Sequence, residues 1–171
     1  SDFARLPMPE LNPLCVEKCL REVLELNSMP AEIAVKLEFP PDLPPVLGDV
    51  RQLQIIFGNL VRNARDAMLP KGGTLTITAR TVDDDVAVTV ADTGVGIPRE
   101  SLERILEPLY STKARGIGLG LAITRSIIDK HSGRLHVASE VGSGSQFIVR
   151  LPAAEKGSGF RDQGSAEDAG A

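Results

Sequence analysis

The sequence predicts an α+β fold: a two-layer sandwich in which a mostly antiparallel, mixed sheet of about five strands is covered on one face by three helices. Three observations carry this. The 171 residues are 42% hydrophobic and 25% charged, the balance of one globular domain with a real core. Hydrophobic spacing reads in the order helix, strand, helix, strand, strand, helix, strand, strand. Hairpins outnumber crossovers, so the strict alternation of a doubly wound nucleotide fold is absent.

Residues 1–10 hold two prolines and read as a tether. Asn12-Pro13 resembles an N-cap followed by a first helical position, and Leu14, Val16, Cys19, Leu20, Val23 and Leu24 then form an apolar stripe. Met29-Pro30 ends that helix. Ile33, Val35, Leu37 and Phe39 alternate with Ala34, Lys36 and Glu38, which is strand spacing, and Pro40, Pro41, Pro44 and Pro45 close the strand. Asp49 caps a second helix running to about Met68. Lys71-Gly72-Gly73 is a turn, 74–81 a strand, 82–85 a hairpin turn and 86–91 a more continuously apolar strand. A short helix is expected over 98–106 and a long one over 119–130, stopped by Ser132-Gly133. Segments 135–139 and 146–151 form a last hairpin around the Gly-rich turn 141–145. From Ala153 onward small and polar residues dominate, and 153–171 is expected to be disordered, leaving 11–152 as the domain.

Composition removes several function classes. A net charge of −4 lacks the basic field that nucleic acid or an anionic membrane requires. No run approaches the roughly 20 apolar residues of a membrane span. Cys15 and Cys19 cannot build a four-ligand zinc site or a disulfide framework, and four apart on a helix they read as buried thiols, so the cytoplasm is the expected compartment. Aromatic residues are 4% with no Trp, too few for a base-stacking platform. His131 at a helix end and His136 in a strand read as structural, and no nucleophilic triad is evident.

Four stretches could carry chemistry. On the helix 49–68, Leu53, Phe57, Leu60, Ala64 and Met68 form the apolar stripe, and Asn59, Arg62, Asn63 and Asp66 the polar stripe beside it. A solvated face alone would explain a polar stripe, but mid-helix Asn is a mediocre helix former, and amide oxygens one turn apart suit a hard cation. Asp92-Thr93-Gly94-Val95-Gly96-Ile97 follows a buried strand. Its carboxylate can accept from a ligand amine while Gly94 and Gly96 let backbone approach. An aspartic-protease reading of Asp-Thr-Gly would need a second such carboxylate from another chain. Ser111–Leu121 places Thr112, Lys113, Arg115, Gly116, Gly118, Leu119 and Gly120 ahead of or within a helix start, an anion site. It matches neither the dinucleotide nor the Walker pattern. Gly142–Phe147 alone is a hairpin turn.

In this order and spacing the four resemble the boxes of sensor histidine kinases. Asn59-x-x-x-Asn63-Ala64-Arg65-Asp66-Ala67 resembles the N box and Asp92–Ile97 the G1 box. Leu106–Lys113 is similar to the F box, Gly116–Leu121 to the G2 box, and Gly142–Phe147 to a last Gly box. Leu106, Leu109 and Tyr110 stand where that family usually has Phe. The resemblance spans about residues 11–152, and the short gap between F and G2 boxes is similar to nitrogen-regulation-type kinases. It implies the histidine-kinase-type ATPase fold, shared with gyrase, heat-shock chaperone and mismatch-repair ATPases, with ATP and Mg²⁺ as cofactors.

Position by position, the resemblance implies that Asp92 accepts from the adenine amino group beside Gly94 and Gly96. Asn63 ligates Mg²⁺ with support from Asn59. Lys113 reaches the terminal phosphate with Thr112 and Arg115 near it, the Gly116–Gly120 run cradles phosphates, and Ser145 reaches adenine through water. Asn59, Asn63 and Lys113 are the expected catalytic set. Residues 97–117 are expected to be a mobile lid. Asn59 stands where the ATPase branches carry a water-activating Glu, so slow hydrolysis is expected. Neither His131 nor His136 is followed by an acidic residue, so the phosphoacceptor His is expected on a separate dimerisation domain, and the opening residues resemble the end of that hairpin. The implied partners are ATP or ADP, that domain, and a response-regulator receiver. Nucleic acid and membrane are not expected partners, and a monomeric fragment of a homodimeric kinase is. The competing readings are a Ser/Thr protein kinase of anti-sigma-factor or dehydrogenase-kinase type, and a non-catalytic nucleotide-dependent interaction module.

Overall fold

The computed structural model describes residues 6–69, 71–105 and 117–154, with the side chains of 117–119 excepted. Its elements in chain order are β1 (Asn12–Leu14), α1 (Val16–Leu26), β2 (Ile33–Glu38), β3 (Val46–Gly48), α2 (Val50–Met68), β4 (Gly73–Val82), β5 (Asp85–Asp92), α3 (Arg99–Ile105), α4 (Ile117–Lys130), β6 (Arg134–Glu140) and β7 (Gly144–Pro152). Five strands form the main sheet in the order β2-β4-β5-β7-β6. Only β2–β4 is parallel, and α2 lies in the crossover between those two strands. The expected mixed, mostly antiparallel sheet is therefore observed.

Strand alternation decides which face is covered. On β4, Leu75, Ile77 and Ala79 are buried and Thr74, Thr76 and Thr78 lie on the other face. Val86, Val88, Val90, Phe147, Val149 and Leu151 continue the covered face, and α1, α2 and α4 close it with Leu20, Val23, Leu53, Phe57, Leu60, Leu121, Ile127 and Ile128. All five apolar positions read on α2 are buried there: Leu53, Phe57, Leu60, Ala64 and Met68.

Three boundaries differ from expectation. Asn12-Pro13 does not start a helix: Asn12–Leu14 pairs antiparallel with Val46–Gly48, and α1 begins at Val16. A strand partner distant in sequence outcompetes the local capping signal, and Pro, lacking an N–H, is tolerated in so short a ribbon. Cys15 occupies the N-cap position and is exposed, so only Cys19 is the buried thiol, and that burial first, then Glu22 and Cys15, pushes it up to about 12. The ordered chain also runs past 11–152. Leu6 packs on the core, the Pro7 carbonyl accepts from Gln52 Nε2 at 2.8 Å, and the Leu6 carbonyl accepts from Lys130 Nζ at 3.1 Å. Ala153 and Ala154 donate to the Asp84 and Pro45 carbonyls. Residues 155–171, expected to be disordered, lie outside the described residues.

Asp49 joins several of these parts. Its carboxylate accepts from the backbone N–H of Arg51, Gln52 and Glu10, at 3.0, 3.2 and 3.0 Å. Its own N–H donates to His131 Nε2 at 3.1 Å, and His131 Nδ1 donates to the Ile127 carbonyl at 2.9 Å. One residue thus caps α2, holds the segment before β1 and meets the end of α4. Burial raises the Asp49 carboxyl, but the Glu10, Gln52 and Arg51 N–H groups and then His131 outweigh it, and the net direction is down. A carboxylate held below its unfolded value stabilises the fold above that value, and the contribution is lost as pH falls through the native one. Asp49→Ala is expected to lower unfolding free energy by about 1 kcal/mol or more at neutral pH. Urea titrations should show the difference from wild type shrinking below about pH 4.

Candidate nucleotide site

The site is built where β5 ends. Apolar alternation carries Val86, Val88 and Val90 under the helices and delivers Asp92 to the end of the strand, opposite Leu75 on one side and Ser145 on the other. Asp92 is 7% exposed, and its Oδ1 accepts the Gly94 N–H at 2.8 Å. Burial raises its carboxyl above the ordinary range, and the backbone N–H groups of Gly94 and Ser145 oppose that without cancelling it. An acceptor kept dry and oriented by two backbone donors is suited to a ligand amine.

The loop after Asp92 is pinned from three sides. Thr93 Oγ1 accepts the Thr74 N–H at 2.9 Å and lies 3.8 Å from Met68 Sδ, the last residue of α2. The Val95 N–H donates to the Ala67 carbonyl at 3.1 Å. A Cβ on Gly94 would stand 2.5 Å from that same oxygen, so only glycine lets the loop meet the helix. Gly96 has φ +78, and the space a side chain would take there belongs to the Glu140 backbone. The Gly142 N–H donates to the Val95 carbonyl at 2.9 Å, and the Ile97 N–H to Ser139 Oγ at 2.8 Å. Ser139 Oγ also donates to the Gly144 carbonyl at 3.0 Å and lies 2.7 Å from Ser145 Oγ. The motifs read at 59–67, 92–97 and 142–147 therefore converge at one end of the sheet.

The two α2 asparagines differ. Asn63 is half-buried, and its Nδ2 is a buried polar atom without a partner. An amide end without a partner is uncommon in a folded protein, and O and N exchange by a half-turn of the amide. Asn63 is thus free to give its oxygen to an ion. Asn59 is committed: Nδ2 donates to the Gly120 carbonyl and to Thr124 Oγ1, both at 3.2 Å, and Oδ1 accepts from Arg62 at 2.6 Å. Gly118, Leu119 and Gly120 lie in the first turn of α4. Thr112, Lys113, Arg115 and Gly116 lie outside the described residues, as do Leu106, Leu109 and Tyr110 and most of the expected lid. Among the described residues no cluster of three or more His, Cys, Asp or Glu could hold a metal.

Sequence reasoning gave no role to Ser139 or Thr124, and named Thr93 and Arg62 only as members of the Asp-Thr-Gly loop and of the polar stripe of α2. Thr124 carried a readable signal, a polar residue among the apolar positions of a helix, and it is fully buried. Ser139 had none, because its partners meet it only through the β6–β7 pairing and the folding of the loop after β5.

Fold and site together define a two-layer α+β domain with a buried carboxylate at the end of β5 and an Asn-bearing helix whose last turn pins the loop after it. Residues 48–155 match the family of histidine kinase-, DNA gyrase B- and HSP90-like ATPases. The chain is 36% identical over 141 residues to sporulation kinase E of Bacillus subtilis (strain 168), covering 80% of this chain and 19% of that protein. It is 35% identical over 149 residues to the sensory histidine kinase/phosphatase NtrB of Klebsiella oxytoca, covering 80% and 42%. The structure of full-length ShkA in complex with AMPPNP superposes with a TM-score of 0.75 at 31% identity, covering 89% of this chain and 34% of that one. The chain belongs to the histidine kinase-, gyrase B- and HSP90-like ATPase family and is an ATP-binding catalytic domain of the sensor histidine kinase kind. It spans less than half the length of these relatives.

A carboxyl whose native value is raised contributes stability that is present at low pH and lost as pH rises through that value. Wild type should therefore gain stability relative to Asp92→Asn as pH falls from neutral toward the ordinary carboxylate range. Thermal melts of both proteins across that interval check this, and a gap that ignores pH would contradict the buried ionised carboxylate.

Proposed function

We propose that this domain binds Mg-ATP and donates the γ-phosphate to a histidine on a separate dimerisation domain, for relay to a receiver aspartate. The buried Asp92 carboxylate, in a loop pinned to the last turn of the helix on which Asn63 leaves an amide nitrogen without a partner, carries the reading. Asp92 accepts from the adenine amino group, and its burial excludes competing water. Gly96 lies along the base, and Ser145, tied to Ser139, reaches adenine through water. Asn63 gives its oxygen to Mg²⁺, which neutralises phosphate charge and orients the triphosphate when bound. The Gly118 and Gly120 N–H groups at the start of α4 take phosphate oxygens, aided by the partial positive charge of a helix N-terminus. Lys113, with Thr112, Arg115, Gly116 and Leu119, completes the phosphate side.

Asn59 supports the same conclusion about the nucleophile. An amide has no useful basicity, and here both its ends are engaged, so no general base activates water at that position. The nucleophile is supplied from outside. The described histidines do not fill that role: His131 is buried with both ring nitrogens bonded, and His136 is followed by Val137. The domain works in the cytoplasm as a monomer within a homodimeric kinase of the nitrogen-regulation type. No helix among the described residues is long and apolar enough to cross a membrane.

Titration with ADP and AMPPNP, with and without Mg²⁺, tests the pocket. Wild type should bind, Asp92→Asn should lose binding to both, and Asn63→Ala should lose the Mg²⁺ dependence. Purified domain should hydrolyse ATP very slowly and take no label itself from γ-labelled ATP. It should pass acid-labile label to a separately supplied histidine hairpin. Acid-stable label would instead favour Ser/Thr transfer, and rapid hydrolysis would contradict an external nucleophile.

A further inference from the structure

One α2 side chain that the nucleotide chemistry does not use is Arg62. It is exposed, yet its guanidinium is fixed at two points: Nη2 donates to Asn59 Oδ1 at 2.6 Å and Nη1 to Asn27 Oδ1 at 3.1 Å. Asn27 is the C-cap residue of α1, and its own Nδ2 donates to the Val23 carbonyl at 2.9 Å, which leaves its oxygen facing Arg62. The chain of bonds then continues through Asn59 to the Gly120 carbonyl and the fully buried Thr124 hydroxyl on α4. Three helices are joined by four polar side chains.

A carboxamide has a donor end and an acceptor end, and what surrounds it decides which way it turns. A guanidinium only donates. With Arg62 in place, the Asn59 oxygen is drawn toward it and the amide hydrogens are left for α4. Without Arg62 the Asn59 oxygen loses its donor, and the amide keeps its place only through its bonds to the Gly120 carbonyl and Thr124, which hold the first two turns of α4. Those turns carry Gly118 and Gly120.

We infer that Arg62 is a positioning residue for the phosphate side of the nucleotide pocket, orienting the Asn59 amide so that it clamps the start of α4. The inference rests on the ATP-site reading above and revises one part of the expected ligand set. Asn59, with its oxygen held by Arg62, is a clamp, and Asn63 alone of the pair serves the ion.

Calorimetric titrations with adenosine, ADP and AMPPNP in Mg²⁺ buffer, on wild type, Arg62→Ala, Arg62→Lys, Asn59→Asp and Asp92→Asn, test this. Arg62→Ala should weaken ADP and AMPPNP by about fivefold, the lower end of ordinary site-to-site coupling, leaving adenosine affinity unchanged. Arg62→Lys should recover most of the loss, because an ammonium still donates to the Asn59 oxygen. Asn59→Asp should lose as much as Arg62→Ala although it pairs more strongly with Arg62, because a carboxylate cannot donate to the Gly120 carbonyl. Equal weakening of all three ligands by Arg62→Ala, or none, would overturn the clamp, as would tighter Mg²⁺-dependent binding by Asn59→Asp. If Asp92→Asn binds adenosine like wild type, the pocket reading fails and the clamp with it. If Asp92→Asn fails to bind while Arg62→Ala matches wild type, the clamp alone fails.

Discussion

The register of α2 on the sheet governs the rest of the molecule. Leu53, Phe57, Leu60, Ala64 and Met68 must go down onto β4, β5 and β7, and each large side chain buried contributes about 1.5–3 kcal/mol. A hydrogen bond on the same helix contributes about 1 kcal/mol. Packing therefore decides the rotation of the helix, and the polar row one step round it follows. Asn59 is brought to α4 as a consequence of core packing, and Asn63 stands one turn further along the same row. The last turn then fixes the loop after β5, because the Ala67 carbonyl takes the Val95 N–H and Met68 lies against Thr93.

Asp92 is the cost that this arrangement carries. A carboxylate at the end of an apolar strand is held against its desolvation penalty by two backbone donors that only partly offset it. Such a carboxylate, kept dry at the open end of a strand, is the kind of group that ligand sites use. The family match over 48–155 leaves α1 and β1 outside it, yet both pack on the same core.

Helix α4 is held at both ends by different chemistry. Near its start, Asn59 reaches Gly120 and Thr124. At its finish, His131 ties the Ile127 carbonyl to the Asp49 N–H, and Lys130 holds the Leu6 carbonyl. Residues 6–10, the cap of α2 and the end of α4 are thus one connected set of contacts.

What the sequence determined by itself was periodic or local. The α2 span, the β4–β5 and β6–β7 hairpins, the buried stripe of α2 and the Asp-Thr-Gly-x-Gly loop were all legible, because 3.6-residue and 2-residue spacing and turn residues act over a few positions. Only the tertiary structure decided that Asn12-Pro13 would pair with 47–48, that residues 6–10 and 153–154 would join the fold, and that Ser139, Thr93 and Arg62 would brace the site. It also separated Asn59 from Asn63, identical in type and one turn apart, since one meets the start of α4 and an arginine while the other keeps an amide nitrogen without a partner among the described residues. Partners remote in the chain leave no periodic trace, and a side chain's role there depends on which donor or acceptor folding brings opposite it.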